Sequence, residues 1–214
     1  MYDPPCRLYL ITPQKLDPAA FQASLAAALD AGDVACVQLR LKDATEDEIA
    51  RATERLMPIA RERNVAFLLN DNAALAAKLG CDGAHLGQGD GNHAAARRLL
   101  EGQILGITCH ASRHLAMEAG ELGADYVAFG AVYPSLTKPL AQRAPLSLLT
   151  RCRSELPVAV CAIGGITADN AWPLLAAGAD LLAVITDLFE APDIACRASA
   201  YRQLFEENKF HELT

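Results

Sequence analysis

Short apolar runs rich in Val, Ile and Leu, bounded by glycine or polar residues, recur along the chain. They predict strands over 6–12, 35–41, 65–71, 83–88, 104–110, 126–132, 158–164 and 181–187. The intervening segments 17–31, 46–63, 73–79, 93–101, 112–122, 146–154, 168–177 and 193–207 have helical spacing. Strand and helix alternate throughout. A weak internal repeat marks the same register: Leu79-Gly80-Cys81-Asp82, Leu122-Gly123-Ala124-Asp125 and Ala177-Gly178-Ala179-Asp180 each close a helix and lead into a strand, and Ala31-Gly32-Asp33 is a shortened copy. The glycine is expected to take the left-handed position that stops a helix, and the acidic residue to start a tight turn.

Strands that are apolar on both faces and alternate with helices require a parallel sheet buried beneath those helices. Eight such units close most simply into a (β/α)8 TIM-type barrel, one α/β domain over residues 1–214, with a doubly wound open sheet as the alternative. In a barrel the chemistry belongs at the C-terminal ends of the strands and in the loops after them, with a phosphate site after the seventh and eighth strands.

Composition narrows the class. With 52% hydrophobic and 21% charged residues in 214, the chain can bury a sizeable core and lacks the signature of disorder. A net charge of −7 without a basic block removes the electrostatic footprint of a nucleic-acid binder. No apolar run approaches the ~18 residues that cross a bilayer, and Met1-Tyr2-Asp3-Pro4-Pro5-Cys6 has no features of a secretion signal. Seven scattered cysteines, with no Cys-x-x-Cys pair, are expected as reduced, buried thiols. These features lead to the expectation of a cytoplasmic protein with no nucleic-acid or membrane partner; a homo-oligomer stays open.

Several residues break the core pattern. In Val37-Gln38-Leu39-Arg40-Leu41-Lys42 a period of two sets Gln38, Arg40 and Lys42 on the face opposite the apolar residues. Two cations inside a barrel are tolerable only at its mouth, facing an anion; a strand-end ion pair is the plainer alternative. Asp71 and Asp90 end neighbouring strands, and two carboxylates there suit Mg2+, which binds through one or two of them plus substrate phosphates. A turn or N-cap role for either fits as well. After the sixth strand, Ser135, Thr137 and Lys138 lie between Pro134 and Pro139, in a loop that could close over a polyanion or simply be solvated. Gly164-Gly165 and Ile185-Thr186 follow the seventh and eighth strands, where main-chain N–H groups can approach a phosphate. His85 is expected to be a hydrogen-bonded strand histidine, and Trp172 and Tyr133 packing residues. His110 and His114 have no third zinc ligand nearby in sequence.

In order and spacing, Gln38-Leu39-Arg40 with Lys42, Asn70-Asp71, Asp82-Gly83 with His85-Leu86-Gly87-Gln88 and Asp90, Gly123-Ala124-Asp125-Tyr126, Phe129-Gly130, Pro134 with Thr137-Lys138, and Ile163-Gly164-Gly165-Ile166 make a set. Through it nearly the whole chain resembles the thiamine phosphate synthase family. The resemblance implies a transferase of thiamine biosynthesis, a TIM-type barrel that joins hydroxymethylpyrimidine pyrophosphate to thiazole phosphate and releases pyrophosphate. By motif, Gln38, Arg40, Lys42, Asn70 and Lys138 would bind the pyrimidine pyrophosphate, and Asp71 and Asp90 would hold Mg2+. Thr108, Ser135, Thr137, Gly165, Ile185 and Thr186 would surround the substrate phosphates. Arg40, Lys42 and Lys138, with Mg2+, would stabilise the leaving group as the substrate ionises.

Three positions depart from the family pattern: Asn72 stands where arginine is usual, Leu41 replaces an acidic residue, and Leu140-Ala141-Gln142 follows a single lysine. Loss of a cation at 72 is expected to weaken pyrophosphate binding unless Arg143 or another cation compensates. Two further readings stay open: a related thiazole tautomerase using a histidine like His110, and a non-catalytic barrel that binds thiamine precursors.

Overall fold

The computed structural model describes residues 6–134 and 143–212. Eight parallel strands form a closed barrel in chain order, which settles the choice against an open sheet. They are β1 Arg7–Ile11, β2 Val34–Leu39, β3 Ala66–Asn70, β4 Gly83–Leu86, β5 Ile104–His110, β6 Tyr126–Phe129, β7 Ala159–Ile163 and β8 Leu181–Val184. The helices are α1 Pro18–Ala31, α2 Glu46–Arg61, α3 Ala73–Leu79, α4 His93–Leu99, α5 Arg113–Glu121, α6 Leu146–Glu155, α7 Trp172–Ala176, α8 Thr186–Phe189 and α9 Ile194–Glu212. Among the described residues no helix is long and apolar enough to cross a membrane.

Local chemistry sets the helix starts. Asp17 caps α1 by accepting N–H bonds from Ala19 and Ala20, and Thr45 with Glu48 forms a reciprocal capping box on α2. Asn72, Asn92 and Ser112 cap α3, α4 and α5. The helix expected over 168–177 is split into a 3-10 turn, Ala168–Asn170, and α7, because Pro173 is tolerated only in a first helical turn.

The apolar residues divide into two bodies. One lies between barrel and helices and contains Leu8, Leu10, Val37, Leu39, Phe67, Leu69 and Val127. The other fills the barrel itself: Tyr9, Ile11, Cys36, Leu68, Tyr126, Ala128, Cys161 and Ala183. Each fully buried Leu or Phe contributes about 1.5–3 kcal/mol. Half of the inner set is small, Cys36, Ala128, Cys161 and Ala183, and that leaves room for two tyrosines. A Cβ on Gly106 would lie 1.9 Å from Tyr126 Cζ, so glycine on β5 is what admits that ring.

The internal repeat has a structural meaning. Gly80, Gly123 and Gly178 have φ of 70, 90 and 84°, as expected of helix stops, whereas Gly32 has φ −94° and does not. The following aspartates do more than begin turns. Asp82, Asp125 and Asp180 accept the main-chain N–H of Phe67, Leu105 and Val160 on the preceding strand at 2.8, 2.8 and 2.7 Å. Each also pairs with an arginine, Arg61, Arg97 and Arg153 respectively, and Asp33 pairs with Arg7. The N-terminal rim is therefore a ring of carboxylates, leaving the C-terminal rim for the site.

Candidate active site

β2 ends at Leu39, so Arg40 and Lys42 stand beyond the strand and not inside the barrel; only Gln38, 2% exposed, points into it. Arg40 is half-buried, its N–H bound to the hydroxyl of fully buried Thr12, and Lys42 is exposed with its N–H on the carbonyl of Gln14. The loop after β1 thus fixes the backbone of both residues at the mouth. A cavity of about 310 Å³ opens beside Lys42, lined also by Lys15, Leu41 and Arg51.

Asn70 closes β3, and Asp71 follows in the left-handed region at φ 66°, its N–H bound to the carbonyl of His85 at 2.8 Å. This conformation costs a non-glycine residue about 1–2 kcal/mol and turns the chain from β3 to α3 within two residues. Asp90 lies four residues past β4, with Oδ2 accepting the N–H of Gly87 at 2.7 Å. β3 and β4 are hydrogen-bonded neighbours, so the two carboxylates share one side of the mouth. Among the described residues no group of three or more His, Cys, Asp and Glu side chains could hold a metal. A cation here has two carboxylates to bind and needs oxygens from water or substrate, a donor set that suits Mg2+.

Beneath the mouth a hydrogen-bonded chain crosses the barrel. Gln38 Nε2 donates to Asn70 Oδ1, and Tyr9 donates to Gln38 Oε1 at 2.8 Å. The Tyr9 and Tyr126 hydroxyls are 2.6 Å apart, Tyr126 is 2.8 Å from His85 Nδ1, and His85 Nε2 is 2.7 Å from Thr108 Oγ1. His85 is thus the hydrogen-bonded strand residue expected. Burial pushes both tyrosine pKa values well above 10, so each phenol keeps its proton. Thr108 is half-buried and spends its side chain on this chain.

The opposite side of the mouth is formed after β7 and β8. Gly164 and Gly165 have φ of 103 and 66°, and a Cβ on Gly165 would lie 2.3 Å from the carbonyl of Pro134, so only glycine fits under that loop. Ile185 and Thr186 are not the strand end expected: β8 stops at Val184 and Thr186 begins α8, the short extra helix that barrels often place at a phosphate site. Asp187 holds α8 in place by accepting from Tyr201 at 2.7 Å and from the N–H of Ala168 at 3.2 Å. Ser135, Thr137 and Lys138 lie outside the described residues.

Three expectations are corrected. Asn72 does not face the mouth as a stand-in for an arginine; it caps α3 through the N–H of Leu75 at 2.9 Å and donates to Glu46 at 3.3 Å. Trp172 is 37% exposed at the start of α7, whereas Tyr133 does pack against the outer core as expected, half-buried, with its hydroxyl donating to the carbonyl of Asn170 at 2.8 Å. Six cysteines are buried, but Cys196 on α9 is exposed. Tyr9, Tyr126 and Thr12 were missed because each reads as an ordinary strand or strand-end residue.

Comparison with known proteins bears on this geometry. Residues 8–188 match the family model described as thiamine monophosphate synthase. The thiamine-phosphate synthase of Rhodospirillum centenum is 56% identical over 188 residues, 87% of this chain and 91% of that protein. The thiamine-phosphate synthase of Aromatoleum aromaticum is 48% identical over 200 residues, 93% and 96% of the two chains. Among solved structures, thiamine phosphate pyrophosphorylase from Pyrococcus furiosus superposes with a TM-score of 0.84 at 30% identity, covering 94% of this chain and 96% of that one. The chain therefore belongs to the thiamine monophosphate synthase family.

Proposed function

We propose that this barrel is a thiamine phosphate synthase, a single-domain transferase joining hydroxymethylpyrimidine pyrophosphate to thiazole phosphate. The observation that carries the reading is the grouping of Arg40, Lys42, Asn70, Asp71 and Asp90 at the ends of three consecutive strands, in a chain 56% identical to a synthase. An amide, two cations and two carboxylates in one place suit a pyrophosphate with its metal and offer little to a neutral ligand.

The chemistry follows from that set. The bond between the pyrimidine methylene carbon and the pyrophosphate oxygen breaks, the electron pair leaves with pyrophosphate, and the thiazole nitrogen then forms a C–N bond to the carbon. Arg40 and Lys42, with Lys138 as the family motif assigns it, would stabilise the charge that gathers on the departing oxygens. Asp71 and Asp90 would hold Mg2+, which neutralises part of the same charge. Gln38 and Asn70 hold the pyrimidine substrate. By motif, Gly165, Ile185, Thr186, Ser135 and Thr137 would surround the phosphates; Thr108, whose hydroxyl is committed to His85, would stand beside them without donating.

The test is product formation from both substrates, with each omitted in turn. Thiamine phosphate only when both are present supports the synthase. Isomerisation of a thiazole carboxylate phosphate without the pyrimidine would point to a tautomerase, and binding without turnover to a non-catalytic barrel.

A further inference from the structure

With His85 neutral and each hydroxyl proton used within it, the polar chain across the barrel interior can run in two self-consistent directions. In one, Tyr9 donates to Gln38 and Gln38 to Asn70 Oδ1. Tyr9 has then spent its one proton, so Tyr126 donates to it, and the Tyr126 oxygen accepts Nδ1–H from His85. A neutral His85 is left with a bare Nε2 that accepts from the Thr108 hydroxyl. In the opposite direction every donor becomes an acceptor, His85 carries its proton on Nε2, and Asn70 turns its oxygen to the mouth. A pyrophosphate offers only acceptors, so an amide oxygen there is repelled while an amide N–H2 is bound. Substrate chemistry and the observed Tyr9–Gln38–Asn70 bonds select the same direction.

We propose that Tyr9, Tyr126 and His85 are positioning residues whose one-directional hydrogen-bond chain presents the Asn70 N–H2, and not its oxygen, to the pyrimidine pyrophosphate. The proposal rests on the synthase reading for its substrate but not for its direction. Because the chain is continuous, the tautomer of His85 at one end reports the orientation of Asn70 at the other. Tyr9 and Tyr126 are 1% and 3% exposed and His85 is 8% exposed, so water does not interrupt the order from the side. Tyr126 also stacks on His85 at a centroid distance of 5.6 Å and meets Tyr9 edge-on at 5.5 Å, which holds the three rings in line.

Two measurements test this on the full-length protein. In the substrate-free state, 15N-histidine NMR, with the signal assigned by replacing His93, His110, His114 and His211 one at a time, should show His85 protonated on Nδ1 and bare on Nε2. The Nε2–H tautomer overturns the proposal. In kinetics, Tyr9→Phe keeps the ring but leaves Gln38 Oε1 without its donor, and should raise KM for the pyrimidine pyrophosphate about tenfold while that for thiazole phosphate stays within about twofold. Tyr126→Phe should change the His85 tautomer signal yet raise the same KM less, because Tyr9 can still donate to Gln38. Unchanged KM in Tyr9→Phe, or an equal rise for both substrates, overturns the proposal. If Tyr9→Phe fails to fold, the wild-type tautomer still decides. A wild type without turnover sinks the synthase reading and leaves the tautomer measurement standing.

Discussion

Replacing Gly106 by alanine should damage both stability and substrate binding. The new methyl would lie 1.9 Å from Tyr126 Cζ, 2.2 Å from its hydroxyl oxygen and 2.3 Å from Cε1. Ordinary contact would require the ring to retreat by about 1.5 Å. Tyr126 has no such freedom, being 3% exposed and held at 2.6 Å from Tyr9 and 2.8 Å from His85. Overpacking of this kind costs about 1–3 kcal/mol, and each of the two buried polar partners left unsatisfied about 1–3 more, so a loss of about 3–9 kcal/mol is expected. That is a large part of the ~5–15 kcal/mol that holds a domain folded. Urea unfolding, compared at equal m-value, measures it. Gly120→Ala is the control: its Cβ would meet Leu156 at 3.9 Å inside α5, and about 0.5 kcal/mol of added stability is expected from helix propensity. A loss under about 1 kcal/mol in Gly106→Ala, with KM for the pyrimidine substrate unchanged, would refute the packing of Tyr126 over Gly106.

Asn72→Arg should cost about 1 kcal/mol in urea unfolding through loss of the α3 cap, and its guanidinium should pair with Glu46, leaving KM for the pyrimidine pyrophosphate within about twofold. A tenfold fall in KM would show that the cation reaches the pyrophosphate after all. Excess chelator should abolish turnover and added Mg2+ restore it, with metal binding to the free protein weak and strengthened by pyrophosphate in calorimetry; full activity in chelator would remove Asp71 and Asp90 from the role. Titration with a chromogenic disulfide should find one fast thiol in the native protein, Cys196, and all seven in denaturant. Burial raises the thiol pKa of Cys81 to about 11 and of Cys109 to about 12, so rapid labelling of more than one thiol would mean that the barrel opens locally.

The barrel was legible in the sequence because its strands and helices have different periods and never exchange places. The mouth was legible because Arg40, Lys42, Asp71 and Asp90 are charges where an apolar period leads the eye inward. Strand ends were less so. Ala131 and Val132 are buried like strand residues yet lie beyond β6, and Ile185-Thr186 extends a β-branched run that starts at Val184, the last residue of β8, although the backbone enters α8 at Thr186. Burial and strand geometry part company where a loop folds back over the barrel. The inner hydrogen-bond chain needs register across six strands, which one strand's pattern cannot supply. Its trace was the small inward set of Cys36, Gly106, Cys161 and Ala183, which marks a space that something large must fill.

The carboxylates on the N-terminal rim bear on the order in which the barrel assembles. The bonds from Phe67 to Asp82, Leu105 to Asp125 and Val160 to Asp180 close loops of 15, 20 and 20 residues, each within one β-α-β unit. Loops of such similar length carry similar closure entropies, so three strand pairs can find register locally before the sheet exists as a whole. A slip by one residue would carry the aspartate away from the N–H it accepts and would turn inward residues such as His85 on β4 and Tyr126 on β6 toward the helices. The last pairing, β1 with β8, spans almost the entire chain and joins strands already in register on their other sides. Alignment at the mouth is in this sense inherited from the opposite rim, through residues that never meet a substrate.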